Sequence, residues 1–338
     1  KGEADLIEEV CRIYGYENIT ETIPRIVPNP EKKPVSLKIR GKTAEILVSA
    51  GLNEIITYSM VGRGVLNKVF SDAADTIAVR NPLSAEQEVM RPSLVPGALN
   101  ALSRNINRRI KNLKVFELGS VYNRNSGGGY IEKTNVCIAL TGFLRDDWQR
   151  AKDKVTFFDL KGMVETLFFE LGIKEFTLAG KQDIILSEGV SSEILHGGRC
   201  VGKMGCLAVN IQDAFDLNQE VYLAEIYLDA LFPFVKLGKK FRDIPKYPSV
   251  KRDISLILED DIPFGKIVSL VEERGGELVE NIEPFDSYTG KQIPPGHKGL
   301  SFRVEYRDRE KTLTTEDVEK VHAAIRESLS AKLAARLR

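Results

Sequence analysis

Cysteine, histidine and tryptophan are scarce in this chain, with four, three and one in 338 residues. Cys11, Cys137, Cys200 and Cys206 form no CxxC pair and no zinc spacing, so they read as reduced thiols of a cytoplasmic protein. His196, His297 and His322 are too scattered to suggest a metal cluster. Neither sign of charge is in excess. Lys+Arg number 48 and Asp+Glu 48, which argues against an all-over basic nucleic-acid binder but leaves room for a local patch. No apolar run approaches membrane-spanning length, and no signal peptide is recognisable. Walker A, GxSxG and GxGxxG sequences are also missing. Gly127-Gly128-Gly129 lacks the strand-to-helix context that would cradle a phosphate and reads as a loop. The chain starts at Lys1 already in helical pattern, so a piece of a longer protein is expected. Its length predicts two or three domains.

The last quarter is the easiest to read. Residues 300, 302, 304 and 306 are apolar and 301, 303, 305 and 307 polar, a period of two that gives a strand one core face and one open face. Ile254, Leu256 and Leu258 repeat the pattern. Ile267, Leu270 and Val271 mark a helix stopped by Gly275-Gly276. Val318, Val321, Ile325, Leu329 and Leu333 mark a longer one, with Thr314 as N-cap and Asp317 three residues on. With strands around 282–288 and 334–337, the order is β-α-β-β-α-β, the ferredoxin-like arrangement, which leaves one sheet face uncovered.

Upstream, residues 5–16 form a short helix, and a stretch with Pro24, Pro28, Pro30 and Pro34 reads as an extended linker. From about 36 to 237 the pattern is α+β, an antiparallel or mixed sheet backed by helices. It predicts helices at 39–49, from Ser93 through Ile106, and from Asp159 through Leu171. Strands are predicted at 54–60, 76–79, 114–122, 135–141, 200–209 and 221–228. The expected divisions are 1–20, the end of a small helical domain; 21–35, a linker; 36–237, the α+β module; 238–246, a joint; and 247–338, the ferredoxin-like domain.

Candidate sites are few. Asp5, Glu8 and Glu9 share a helix face, which suits either the positive end of the helix dipole or a hard cation such as Mg²⁺; pattern alone favours the dipole. Arg104, Arg108, Arg109, Lys111 and Lys114 are either a solvated helix end or a contact for RNA phosphate or an acidic partner. His196-Gly197-Gly198 is a turn.

Several ordered segments resemble the bacterial phenylalanyl-tRNA synthetase beta-subunit family. They are Asp5 to Tyr16 (DLIEEVCRIYGY), Arg91 to Gly97 (RPSLVPG), Val115 to Gly119 (VFELG), Phe157 to Gly162 (FFDLKG), Tyr247 to Ile254 (YPSVKRDI), Phe285 to Gly290 (FDSYTG) and Thr312 to Thr314 (TLT). The resemblance covers the C-terminal part of that subunit. It implies a class II synthetase-like antiparallel sheet module followed by a ferredoxin-fold anticodon-binding domain. It also implies a catalytic alpha subunit as partner in a tetramer of two alpha and two beta, with phenylalanine tRNA and ATP as substrates of the complex. Class II activation sets an arginine on the ATP α-phosphate from a Phe-Arg-x-Glu strand. Here that strand has Phe116-Glu117-Leu118, so the module is expected to be catalytically silent. The resemblance further raises Asp5, Glu8 and Glu9 to Mg²⁺ ligands, one further ligand lying upstream of Lys1. A stand-alone RNA-binding module is the alternative.

Alternation then suggests an RNA platform. If Phe285 is core, Asp286 and Tyr288 stand on the open face with Arg303 and Arg307, a ring to stack a base, a carboxylate for a base edge and cations for phosphate. Residues 246–338 hold 16 Lys+Arg and 17 Asp+Glu, so binding there rests on stacking and shape more than bulk charge.

Overall fold

The computed structural model describes residues 2–25, 32–70, 76–125, 127–145 (Arg145 as backbone), 148, 153–241, 243–290 and 293–337. They divide into two compact units, Lys1–Lys239 and Lys240–Arg338.

The larger unit opens with α1 (Glu3–Tyr14), whose apolar residues Leu6, Ile7, Val10 and Ile13 are all exposed. Pro28 and Pro30 of the expected linker lie outside the described residues. After α2 (Val35–Ser49), β1 (Asn53–Glu54) joins the edge of a seven-stranded sheet. Then come α3 (Val95–Asn107), β2 (Leu113–Arg124), β3 (Tyr130–Thr141), α4 (Phe157–Glu170), β4 (Thr177–Gly180), β5 (Leu186–His196), β6 (Arg199–Leu207) and β7 (Val221–Tyr227). The strand order is β1-β2-β3-β7-β6-β5-β4, parallel between β1 and β2 and antiparallel elsewhere. The mixed sheet is thus as expected, with one parallel edge.

Its interior strand β3 is buried continuously from Thr134 to Thr141 because helices cover both faces. Val136, Ile138 and Leu140 pack with Ile39 and Ile46 of α2 and Leu160, Val164 and Phe168 of α4. Cys137 and Ala139 point the other way, into a cluster with Leu99, Leu102 and Ile106 of α3. A fully buried Leu or Phe contributes about 1.5–3 kcal/mol, so these two clusters hold the unit together.

Three expectations need correction, and one hairpin is new. The strand at 54–60 is broken: after Ile55 the Thr57 N–H turns to the Glu117 carboxylate at 3.1 Å, and pairing resumes only at Met60–Val61, with Val89–Met90. The strand at 76–79 is reduced to a single bridge between Ala78 and Val89. The helix begun at Asp159 starts earlier. Thr156 is its cap and Asp159 reaches back to the Thr156 N–H at 2.7 Å, the reciprocal arrangement of a capping box. The hairpin partners β4 and β5 were not foreseen. The turn at Gly197-Gly198 joins β5 to β6 with φ of 55° and 74°, angles that suit glycine.

In the second unit the order is β8 (Val250–Glu259), α5 (Phe264–Gly275), β9 (Val279–Tyr288), β10 (His297–Tyr306), α6 (Thr315–Leu333) and β11 (Arg336–Leu337), with sheet order β9-β10-β8-β11. This is the ferredoxin-like topology expected from the sequence. Ile254, Leu256 and Leu258 of β8 and Leu300, Phe302, Val304 and Tyr306 of β10 pack against Ile267 and Val271 of α5 and Ile325 and Leu329 of α6. Thr314 caps α6, accepting from the Asp317 N–H at 3.2 Å, as its sequence predicted. His322 is buried, its Nδ1 3.0 Å from the Tyr306 hydroxyl.

Candidate nucleic-acid interface

Both helices of the second unit pack on one face of its sheet, so the alternate residues of β8, β9 and β10 line the other. Pairing sets Lys251 opposite Glu305, Asp253 opposite Arg303 and Ser255 opposite Ser301. The two serine hydroxyls are 2.9 Å apart. Arg303 grips Asp253 with two bonds, and that hydrogen bonding holds the Asp253 carboxyl below its usual range. Ser249 donates to Glu305, lowering that carboxyl too, with Lys251 3.7 Å away.

On β9, Glu283 pairs with Arg303, Asp286 with Ser301 and Tyr288 with Gly299, and the register shifts between Pro284 and Asp286. The pairing therefore sets Asp286 and Tyr288 on the same face as Ser301 and Arg303. The premise about Phe285 needs correction. The bulge adds a residue to β9, so Phe285 is not core; it is 54% exposed, with the Arg303 guanidinium carbon 5.5 Å from its ring centre. Strict alternation could not find it, because a bulge interrupts the period of two. The Tyr288 ring, 45% exposed, folds against the backbone of Gly290. Arg307 is more enclosed: its Nε donates to Glu280 at 2.7 Å and its Nη1 to the Tyr247 carbonyl.

Asp5, Glu8 and Glu9 do not form a ligand set as they stand. Asp5 accepts from the Gly2 N–H at 2.7 Å, and Glu9 pairs with Arg12 at 2.8 Å. Among the described residues no group of three or more His, Cys, Asp or Glu could hold a metal ion.

The larger unit has a cleft of about 750 Å³ beside the start of α3, lined by Ser93, Asn135, Glu225, Tyr227 and Lys133 among others. Glu225, 3% exposed, accepts from the Ser93 hydroxyl at 2.9 Å, the Leu94 N–H at 3.0 Å and the Asn135 amide at 3.1 Å, tying α3 to the sheet. Glu117 is buried against Arg91 at 2.6 Å, and Arg91 also donates to the Thr57 hydroxyl and the Ser120 carbonyl. Its guanidinium lies against Gly119, where a β-carbon would collide with it. Two of the sequence segments, Arg91 to Gly97 and Val115 to Gly119, thus meet in one buried network. Burial, reinforced by Glu225 and Glu117, pushes the Cys137 thiol well up and leaves it inert. Sequence reading missed this network, because nothing local in either segment says that they touch.

The fold is thus a ferredoxin-like sheet whose bare face carries aromatic, carboxylate and guanidinium groups, joined in sequence to a larger α+β module. Residues 19–228 match the family described as phenylalanyl tRNA synthetase beta chain CLM domain, and residues 245–338 match the ferredoxin-fold anticodon binding domain. The chain belongs to the phenylalanyl-tRNA synthetase beta chain family. Similar relatives include the phenylalanine--tRNA ligase beta subunits of Clostridium acetobutylicum (33% identical over 339 residues) and Syntrophotalea carbinolica (34% over 343). Each alignment covers 99% of this chain and 42% and 43% of the respective relative, so the chain spans about two fifths of their length. Among solved structures, the pyrrolysyl-tRNA synthetase of Desulfitobacterium hafniense is similar at a TM-score of 0.48 and 17% identity, over 60% of this chain and 70% of that one.

Proposed function

We propose that this chain is the part of a phenylalanyl-tRNA synthetase beta subunit that assembles with the catalytic alpha subunit and holds the anticodon region of phenylalanine tRNA. In that role it supports ATP-dependent joining of phenylalanine to its tRNA, in a cytoplasmic tetramer of two alpha and two beta subunits. The observation that carries the reading is the bare sheet face, where Phe285, Asp286, Tyr288 and Arg303 share one patch. Tyr288 and Phe285 offer rings to unpaired bases, Asp286 accepts from a base edge, and Arg303 is held ready for phosphate or a second stack. Arg307 is the least free of the four residues first expected there, its fork being spent on Glu280 and Tyr247.

For the alpha subunit, the broken strand of the larger unit supplies an apolar edge. Ile56 and Tyr58 are 90% and 75% exposed, and large apolar side chains left in water mark a contact surface. Mg²⁺ at Asp5, Glu8 and Glu9 would require Glu9 to leave Arg12 and donors from outside these residues, and no step is assigned to it.

Charging assays with the full-length subunit and its alpha partner test the reading. Tyr288→Ala should weaken charging at limiting tRNA by the roughly 1–3 kcal/mol of one lost stack, with ATP–pyrophosphate exchange unchanged. Equal charging by variant and parent would remove Tyr288 from the site. A full-length protein that stays monomeric beside the alpha subunit, with charging unaffected by its removal, would leave a stand-alone RNA-binding module instead.

A further inference from the structure

Between Glu88 and Glu117 the chain carries six cationic residues and no acid. Arg91 is spent on Glu117, and Lys114 donates to the Leu144 carbonyl at 2.8 Å. The other four, Arg104, Arg108, Arg109 and Lys111, are exposed, and among the described residues their side chains make no hydrogen bond or ion pair. Asp213, Asp216 and Glu220, exposed on the segment before β7, form no ion pair with them.

The backbone beneath these cations is fixed. The Arg108 N–H donates to the Asn105 carbonyl at 2.9 Å, the Arg109 N–H to Ile106 at 2.8 Å, and the Ile110 N–H to Asn105 at 3.0 Å. Arg109 takes the left-handed conformation at φ 71°, which closes α3 and turns the chain into β2. The Asn105 amide bonds back to Ala101 at 2.8 Å, the Gln219 amide holds the Lys111 carbonyl at 2.7 Å, and Leu102 and Ile106 are buried below. A helix C-terminus favours cations within its last turn, which accounts for Arg104. Arg108, Arg109 and Lys111 lie beyond the last turn. Like charges held this close repel one another in the free protein, and a polyanion would relieve that repulsion.

The chemistry of the surface selects the partner. A protein interface has a core depleted in charge and enriched in aromatic groups. Here Ile110, about half exposed, is the one large exposed apolar side chain between 104 and 111. Three guanidinium forks and an ammonium on a rigid turn suit phosphate oxygens, which arginine binds with two parallel bonds. We propose that this turn is a phosphate-backbone contact for tRNA on the larger unit, additional to the bare sheet face; the choice of RNA as the polyanion rests on the function proposed above.

The test measures binding of phenylalanine tRNA by the full-length subunit with its alpha partner, from 50 to 200 mM salt. The combined variant Arg104→Ala, Arg108→Ala and Arg109→Ala should nearly keep its thermal midpoint, since these exposed side chains make no hydrogen bond or ion pair among the described residues. The slope of log affinity on log salt should become shallower by about two, at roughly 0.7–0.9 per phosphate released. Arg→Lys at the same three positions should keep most of the slope. An unchanged slope in the alanine variant, while Tyr288→Ala still weakens binding, overturns this contact and leaves the anticodon platform standing. No binding by the parent overturns both. An unchanged slope with loss of co-purified alpha subunit reassigns the turn to a protein contact and equally overturns the proposal.

Discussion

Arg303 lies across Asp253 as a two-pronged pair, Nε to Oδ1 at 2.7 Å and Nη2 to Oδ2 at 2.8 Å, and the same guanidinium covers the Phe285 ring. One residue thus fixes an aromatic platform on its own strand's neighbour and takes its orientation from the strand on the other side. The pair is exposed and does little for folding. Its use is to hold a planar cation still.

Arg303→Gln should release the Asp253 carboxyl, which then titrates upward toward the ordinary value near ~3.9. Carboxyl chemical shifts followed through an acid titration read this directly. A titration that matches the parent's would mean the pair does not persist in solution. The same variant should weaken tRNA binding, and Asp253→Ala should weaken it less, because the cation remains.

Phe285 gives a second test of the platform. Phe285→Leu keeps an apolar side chain but loses the flat ring, so tRNA affinity should fall by roughly the 1–3 kcal/mol of one stacked base. Phe285→Tyr should restore it. Equal affinity for the leucine variant would reduce Phe285 to a cover for Arg303.

His322 makes the second unit sensitive to acid. Its imidazole is buried beside the Tyr306 hydroxyl, and burial holds its pKa below the ordinary value, against the opposing pull of Glu319 and with Arg326 and Arg252 adding to the depression. The fold therefore favours the neutral ring. Above about pH 6.5, the unfolded value, neither state is charged and the stability is fully present. As pH falls below it, the unfolded chain takes up a proton that the folded chain refuses, so stability is lost toward the depressed folded value. Urea midpoints of the second unit should fall between pH 7 and 5, and His322→Gln should flatten that slope. A slope equal in both would exclude His322 as the cause.

The second unit was legible because its alternation is real. Leu300, Phe302, Val304 and Tyr306 are buried, and their neighbours are partly exposed. Thr314 and Asp317 announced α6 for a local reason, since a cap needs only three residues of spacing. What escaped were features decided at a distance or by a single inserted residue. The bulge at Phe285 resets the alternation without any signal in composition. Residues 55–59 have a strand's composition but lose their ladder to the side chain of Glu117, sixty residues away. The hairpin of β4 and β5 lies at a sheet edge, where Glu188, Gly189, Ser191 and Ser192 dilute the apolar signal that marks a strand. The cations of 104–111 could be listed from sequence, but not their freedom from ion pairs.

Gly119 and Arg91 make the buried network testable. A methyl at 119 would enter the space of the guanidinium, which is boxed in by Glu117, Thr57 and Ser120. Gly119→Ala should cost about 1–3 kcal/mol of the larger unit's stability by overpacking. Glu117→Ala should cost about 3–5 kcal/mol, because it strands a buried cation. Denaturant unfolding followed by probes in each unit separates the two, since the second unit's transition should stay where it is. If Glu117→Ala unfolds no more readily than Gly119→Ala, the pair is not the keystone described.

By its resemblance to class II synthetases, the larger unit is expected to perform no adenylation. Developing negative charge on an α-phosphate needs a fixed cation aimed at it. Where the resemblance would place that arginine this chain has Glu117, and β7, the next strand but one, adds the buried Glu225 to the lining of the cleft. Arg91 cannot serve, because Glu117, Thr57 and Ser120 already hold it. This chain, freed of any alpha subunit, should give no ATP–pyrophosphate exchange with phenylalanine. Glu117→Arg should not create exchange either, since the new cation would meet Arg91 in the same buried space and destabilise the unit first. Measurable exchange by the parent chain alone would overturn the assignment and make the cleft beside α3 a working site.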